Sequence, residues 1–282
     1  MFERLSKGWQ LSKQSLQVLK MDKELLLFPV MSGIACVLVL ASFALPLWAT
    51  GFAEDVARDQ NRQANVLGWI VLFVFYLANY FVIVFFNSAL IACAVLRFNG
   101  EDPTLKDGLS AAMARLPQIF GWAIVAASVG VILRAIESRS EKVGAFVSGL
   151  LGMGWSLVTF FVVPVIVIEK AGPVQAVKRS TAILKKTWGE SLAANFGIST
   201  IAFFFMLPAL LLIGGGIFLI TAINPVVGGV AVGAGVIWML VVSLVSSALS
   251  AIVLAALYMY AATDRVPEAF DESLLTGAFG KK

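Results

Sequence analysis

Long apolar runs alternate with short polar stretches along the whole chain. The runs Leu25–Trp48, Val66–Leu96, Pro117–Ile136, Gly144–Ile168, Leu192–Ile220 and Gly228–Ala262 all reach the roughly 17–25 residues that cross about 30 Å of hydrocarbon as a helix. They predict six transmembrane helices. Val66–Leu96 is longer than the hydrocarbon layer requires and is expected to tilt or project. No polar stretch between them is long enough to bury a core of its own, so residues 1–282 are expected to form a single all-α, polytopic membrane domain.

Helical periodicity continues into two of the polar stretches. In PVQAVKRSTAILKKTW, Val174, Val177, Thr181, Leu184 and Trp188 fall on one side and Gln175, Lys178, Arg179, Lys185 and Lys186 on the other. Residues 1–24 repeat Phe2, Leu5, Trp9, Leu16 and Leu19 at similar spacing among Arg4, Lys7, Lys13, Lys20 and Lys23. Both segments are expected to be amphipathic helices lying on a membrane surface. The run after the first is longer than the apolar region of a signal peptide and has no small-residue cleavage site behind it, so it is taken as the first span.

Composition agrees, with 60% hydrophobic residues, 13% charged residues and a mean hydropathy of +0.91. The net charge of +4 gives no reason to invoke nucleic acid, because the basic residues flank the apolar runs. Sixteen of the 21 Lys and Arg fall on the side that holds both termini; the other side has Arg58, Arg62, Arg134, Arg139 and Lys142. That bias predicts cytoplasmic termini.

Lys13, Ser15, Leu19 and Lys20 match Lys178, Ser180, Leu184 and Lys185, with Val18 opposite Ile183. Ser110 and Arg115 answer more faintly, and Pro103 and Pro173 each stand seven residues before a serine. Pro267, with Ser273 and Leu274, echoes the entry once more in the tail. The chain therefore reads as three copies of one unit, a surface helix followed by a helical hairpin, over 1–96, 97–168 and 169–262, with a tail at 263–282. Proline suits the first turn of such helices because it lacks an N–H that would be unpaired there.

The stretches WQLSKQSLQVLKMDKELLLFPVMSG and PVQAVKRSTAILKKTW resemble a domain-of-unknown-function family of bacterial polytopic membrane proteins, a likeness extending over most of the chain. The proline-to-serine helix is also similar to linkers in the membrane domains beside some glycerophosphodiester phosphodiesterases and in YciC-like inner-membrane proteins. The resemblance implies six helices in a bacterial cytoplasmic membrane and supplies no activity.

Candidate chemistry is sparse. There is no histidine, and Cys36 and Cys93 sit in apolar runs without metal-ligand spacing. Every acidic residue lies in a loop or at the end of a run, which argues against a proton-coupled pump. Arg134, the nearest exception, is within reach of the outer interface. Catalytic residues, metal and cofactor are not expected. Asn79 and Asn87, eight apart on the second run, and Asn195 on the fifth are candidates to line a cavity; the simpler expectation is that they bond to neighbouring helices. Small residues at four-residue spacing (Gly144, Ser148, Gly152, Ser156; Ser243, Ser247, Ala251, Ala255; Gly229, Gly233) predict close helix packing, with a homo-oligomer seam as the second use. Pro208 with Gly214–Gly216 marks a kink or a tolerated helix end.

These features favour a non-enzymatic membrane protein that organises anionic lipid, or a membrane-protein partner, through Lys13, Lys20, Lys178, Arg179, Lys185 and Lys186. The alternative is a transporter or channel for a neutral or lipidic solute.

Overall fold

The computed structural model describes residues 2–51, 62–138, 143–186, 190–222, 224–263, 265–267 and 269–271. Side chains are described from Trp9 in the first helix, from Val66 and Gly144 after the next two gaps, up to Lys185, and again from Ala202. Trp188, residues 139–142 and 52–61, the Lys186 and Asn195 side chains and the tail beyond Asp271 lie outside the described residues.

The described residues form helices and no strands: α1 (Phe2–Met21), a 3-10 turn (Lys23–Leu26), α2 (Leu27–Ala49), α3 (Arg62–Phe98), α4 (Leu105–Met113), α5 (Leu116–Glu137), α6 (Val143–Val158), α7 (Val162–Glu169), α8 (Pro173–Lys186), α9 (Glu190–Ala222) and α10 (Pro225–Thr263). Six helical stretches are long and apolar enough to cross a membrane: Lys23–Ala49, Val66–Phe98, Leu116–Glu137, Gly144–Glu169, Ala202–Ala222 and Pro225–Thr263. The chain is thus all-α and has the six spans expected of a multi-pass membrane protein. It divides into two compact units, one of Met1–Pro29, Ala94–Asp102 and Thr187–Lys282, the other of Val30–Cys93 and Pro103–Lys186.

The first unit is built on the antiparallel hairpin α9–α10. Asn224 closes its turn by accepting the Val226 and Val227 N–H groups at 2.9 and 3.3 Å, and Pro225 takes the first helical position, where a missing N–H costs nothing. Three glycines make the seam. A Cβ on Gly228 would lie 2.5 Å from the Ile220 nitrogen, and Gly216 and Gly235 are crowded in the same way. Gly229 and Gly233, the expected GxxxG pair, face open space instead. The seam runs on Gly228 and Gly235, two turns apart, so the two glycines four apart are carried off it. Pro46 and Pro208 both sit inside continuous helices.

α1 packs on this hairpin through Leu11, Ser12, Ser15, Val18 and Leu19, all buried. Just past α1, Asp22 is 7% exposed and accepts a forked pair of bonds from Arg97 at the end of α3, which also reaches the exposed Asp102. A fork of this kind holds two elements in one orientation. The start of the tail folds back on the unit, with Phe270 edge-on to Phe98 at a ring spacing of 5.7 Å and Asp271 accepting from Gln14 at 3.1 Å.

In the second unit, Trp122 and Trp155 stack at 5.7 Å between α5 and α6, and Gly130 admits the Tyr76 ring, 3.1 Å from where a Cβ would be. α4 opens on a capping box: Thr104 N–H and hydroxyl both donate to the Asp107 carboxylate, at 2.9 and 2.6 Å, and the Asp107 N–H donates to the Thr104 oxygen at 3.4 Å. Those bonds hold the Asp107 carboxyl below its ordinary range.

The fourth span is broken, contrary to the single helix expected over Gly144–Ile168. α6 ends at Val158 and α7 begins at Val162. Pro164 explains the break, because it cannot donate to the carbonyl of residue 160 and its ring crowds that turn. The freed groups are met from α8. The Ser180 hydroxyl accepts the Phe161 N–H at 3.0 Å and donates to the Val158 carbonyl at 2.7 Å.

Candidate functional site

α8 runs back along α7 from a tight turn in which Lys170 takes the left-handed conformation, φ 58°. Its docked face is Ala176, Ser180 and Ile183, all buried. This corrects the face expected from hydrophobicity: Val174 is 65% exposed, and Val177, Thr181 and Leu184 only flank the contact. Small side chains win because Pro173 already lies 3.0 Å from where a Cβ on Gly121 would be, and the Ser180 bonds require close approach. α1 shows the same rotation. Of its expected underside, Leu19 is buried, but Trp9 and Leu16 are exposed, at 53% and 36%.

Correspondence between α1 and α8 extends to their burial. Leu11, Ser15 and Val18 are buried at one constant offset from Ala176, Ser180 and Ile183, while Lys13 and Lys20 are exposed at that same offset from Lys178 and Lys185. No described carboxylate pairs with any of the four lysines. Arg179 is engaged, donating to Glu169 at 2.8 Å. Ser110 on α4 is exposed while Gly108 and Ala112 are buried, so α4 does not present its serine as the other two helices do.

Asn79 and Asn87 are half-buried on α3, and the Asn79 amide donates to the Phe75 carbonyl of its own helix at 2.9 Å. Arg134 pairs with Glu137 one turn on, at 2.8 Å, both half-exposed. Among the described residues no group of His, Cys, Asp or Glu is placed to hold a metal.

One concave feature escaped the sequence. Between α1 and the α9–α10 hairpin lies a groove of about 350 Å³, lined by Trp9, Ser12, Lys13 and Leu16 on one wall. Ala202, Phe205, Trp238, Val242, Val245 and Leu249 are prominent on the other. The Trp238 N–H is spent on the Phe205 carbonyl at 2.8 Å, so the indole shows the groove only its apolar face. Apart from Lys13 and two serines, Ser12 and Ser246, the lining residues are apolar. The available signal was on α1, where Trp9 and Leu16 are apolar yet lie off the face that packs on protein.

No curated protein and no solved structure matches the chain. Residues 66–268, most of its length, match DUF6159. The chain belongs to this family of unknown function, DUF6159.

Proposed function

We propose that this is a non-enzymatic integral membrane protein that organises anionic lipid on the cytoplasmic face of a bacterial inner membrane, where both termini lie. The observation that carries the proposal is the shared presentation of α1 and α8. Each docks on protein through a face with a buried serine at the matching position, Ser15 or Ser180, and leaves two lysines exposed and unpaired by any described carboxylate. A helix fixed in this way holds its charges at a set depth, whereas a helix floating at the interface does not. The matching offsets also support descent of α1 and α8 from one repeated unit.

Each exposed lysine near an anionic surface contributes about 1 kcal/mol, falling with salt. The four together are enough to enrich phosphate headgroups around the protein. The test is the lipid retained by the purified chain after reconstitution in vesicles of equal phosphatidylglycerol and phosphatidylcholine. Wild type should keep phosphatidylglycerol above the input ratio at low salt and lose the excess at high salt. Replacing Lys13, Lys20, Lys178 and Lys185 by glutamate should return the ratio to input or below; an unchanged ratio refutes the proposal. A retained polypeptide in place of lipid would redirect it to a membrane-protein partner.

A further inference from the structure

The groove lies where the hairpin meets the edge of the hydrocarbon. α10 has 39 residues, about 58 Å of helix at about 1.5 Å per residue, against a hydrocarbon layer of about 30 Å. Counted from the hairpin turn at Asn224, about 20 residues of each helix span that layer, which reaches the neighbourhood of Phe204 on α9 and Leu244 on α10. The pairing Gly228 to Gly216, Gly235 to Ala209 and Trp238 to Phe205 fixes the register. Residues near 242 therefore lie level with Ala202, about one hydrocarbon thickness from the turn, and α10 continues past it into a largely buried segment from Ala248 to Ala261 that packs with α1 and the 3-10 turn. The groove straddles this level, and its one charge, Lys13, stands exposed on α1.

We infer that this groove seats one acyl chain of an anionic phospholipid, with the lipid phosphate held by Lys13. Size, lining and charge agree on that occupant. Taking a methylene as about water-sized, about 30 Å³, the groove takes on the order of ten methylenes, most of one chain and too few for two. Its walls offer almost no hydrogen bonds, which excludes a sugar or nucleotide as the buried part. One lysine at headgroup depth selects an anion over a zwitterion. The inference rests on the headgroup proposal above and adds a defined site to it.

The experiment uses the full chain in nanodiscs containing a phosphatidylglycerol probe with a diazirine in its acyl chain, and maps the labelled residues by peptide mass spectrometry. Label should concentrate on Trp9–Leu16 and Val242–Leu249 above the level at Phe218 and Val230, which are exposed along the hairpin and report bulk lipid. Ser246→Trp and, separately, Leu16→Trp should each remove the groove label and spare Phe218. Lys13→Gln should lower it about fivefold for the phosphatidylglycerol probe, the equivalent of one lysine at such a surface, and leave a phosphatidylcholine probe unaffected. Groove label no stronger than that at Phe218, label that survives both tryptophan variants, equal labelling by both probes, or labelling only by a free diazirine fatty acid would each overturn the inference. If the groove label is absent while phosphatidylglycerol remains enriched around the protein, the groove assignment alone has failed. If enrichment is absent too, the headgroup proposal has failed with it.

Discussion

Replacing Ser180 by alanine removes one oxygen and strands two backbone groups. The hydroxyl is the bridge across the break between α6 and α7, bonded at once to the Phe161 N–H and the Val158 carbonyl. Ser180, Phe161, Val162, Ala176 and Ile183 are all buried and Val158 is partly so, which leaves water little room to replace the bridge. An unsatisfied buried donor or acceptor costs about 1–3 kcal/mol, while hydrogen bonds between membrane helices are worth about 0.6 kcal/mol on average. With two groups stranded at once and little water to relieve them, the expected loss is about 2–4 kcal/mol. Ser15 supplies the control. It occupies the matching position on α1 and is equally buried, yet its hydroxyl has no partner, so Ser15→Ala should be neutral or stabilising. Reversible unfolding in mixed micelles measures both. If Ser180→Ala costs no more than Ser15→Ala, the hydroxyl does not hold the break together.

Three further outcomes follow from the geometry. The Asp107 carboxyl is held low by Thr104, so its contribution to the α4 cap is complete above the ordinary carboxylate range and is lost as pH falls through its lowered folded value; amide exchange in the first turn of α4 should rise on acidification in wild type and be pH-independent, beyond intrinsic exchange, in Asp107→Asn. Arg97→Met leaves Asp22 buried without its partner and should cost about 3 kcal/mol, while adding Asp22→Asn should recover part of that loss in the same unfolding assay. Gly228→Ala places a methyl group against the Ile220 backbone and should lower the unfolding midpoint, whereas Gly229→Ala, in open space, should leave it unchanged or raise it.

Span positions were legible because hydropathy is a property of each segment alone. The third and sixth runs, Pro117–Ile136 and Gly228–Ala262, lie within the apolar helices Leu116–Glu137 and Pro225–Thr263. The faces of α1 and α8 were not legible, because a helix docks by the surface of its partner as well as by its own hydrophobicity. Ala176 and Ser180 are less apolar than Val174, yet they fit against α7 and satisfy its broken backbone. Pro164 did signal that break, but Pro46 and Pro208 sit in equally apolar runs without interrupting their helices, so a proline alone does not decide. The groove draws its walls from residues more than two hundred positions apart in sequence, Leu16 and Leu249 among them, which no local pattern joins. The Asp22–Arg97 pair is hidden for the same reason, since each residue is an ordinary charge at the end of its own segment.

On the function proposed above, the exposed lysines of α1 and α8 hold anionic lipid. Native mass spectrometry of the protein gently released from its own membrane tests it most directly, since one spectrum gives subunit number and retained mass together. Wild type should carry discrete adducts of anionic phospholipid mass, depleted in the variant carrying glutamate at Lys13, Lys20, Lys178 and Lys185. A spectrum of bare protein, or the same adducts on wild type and variant, would contradict it.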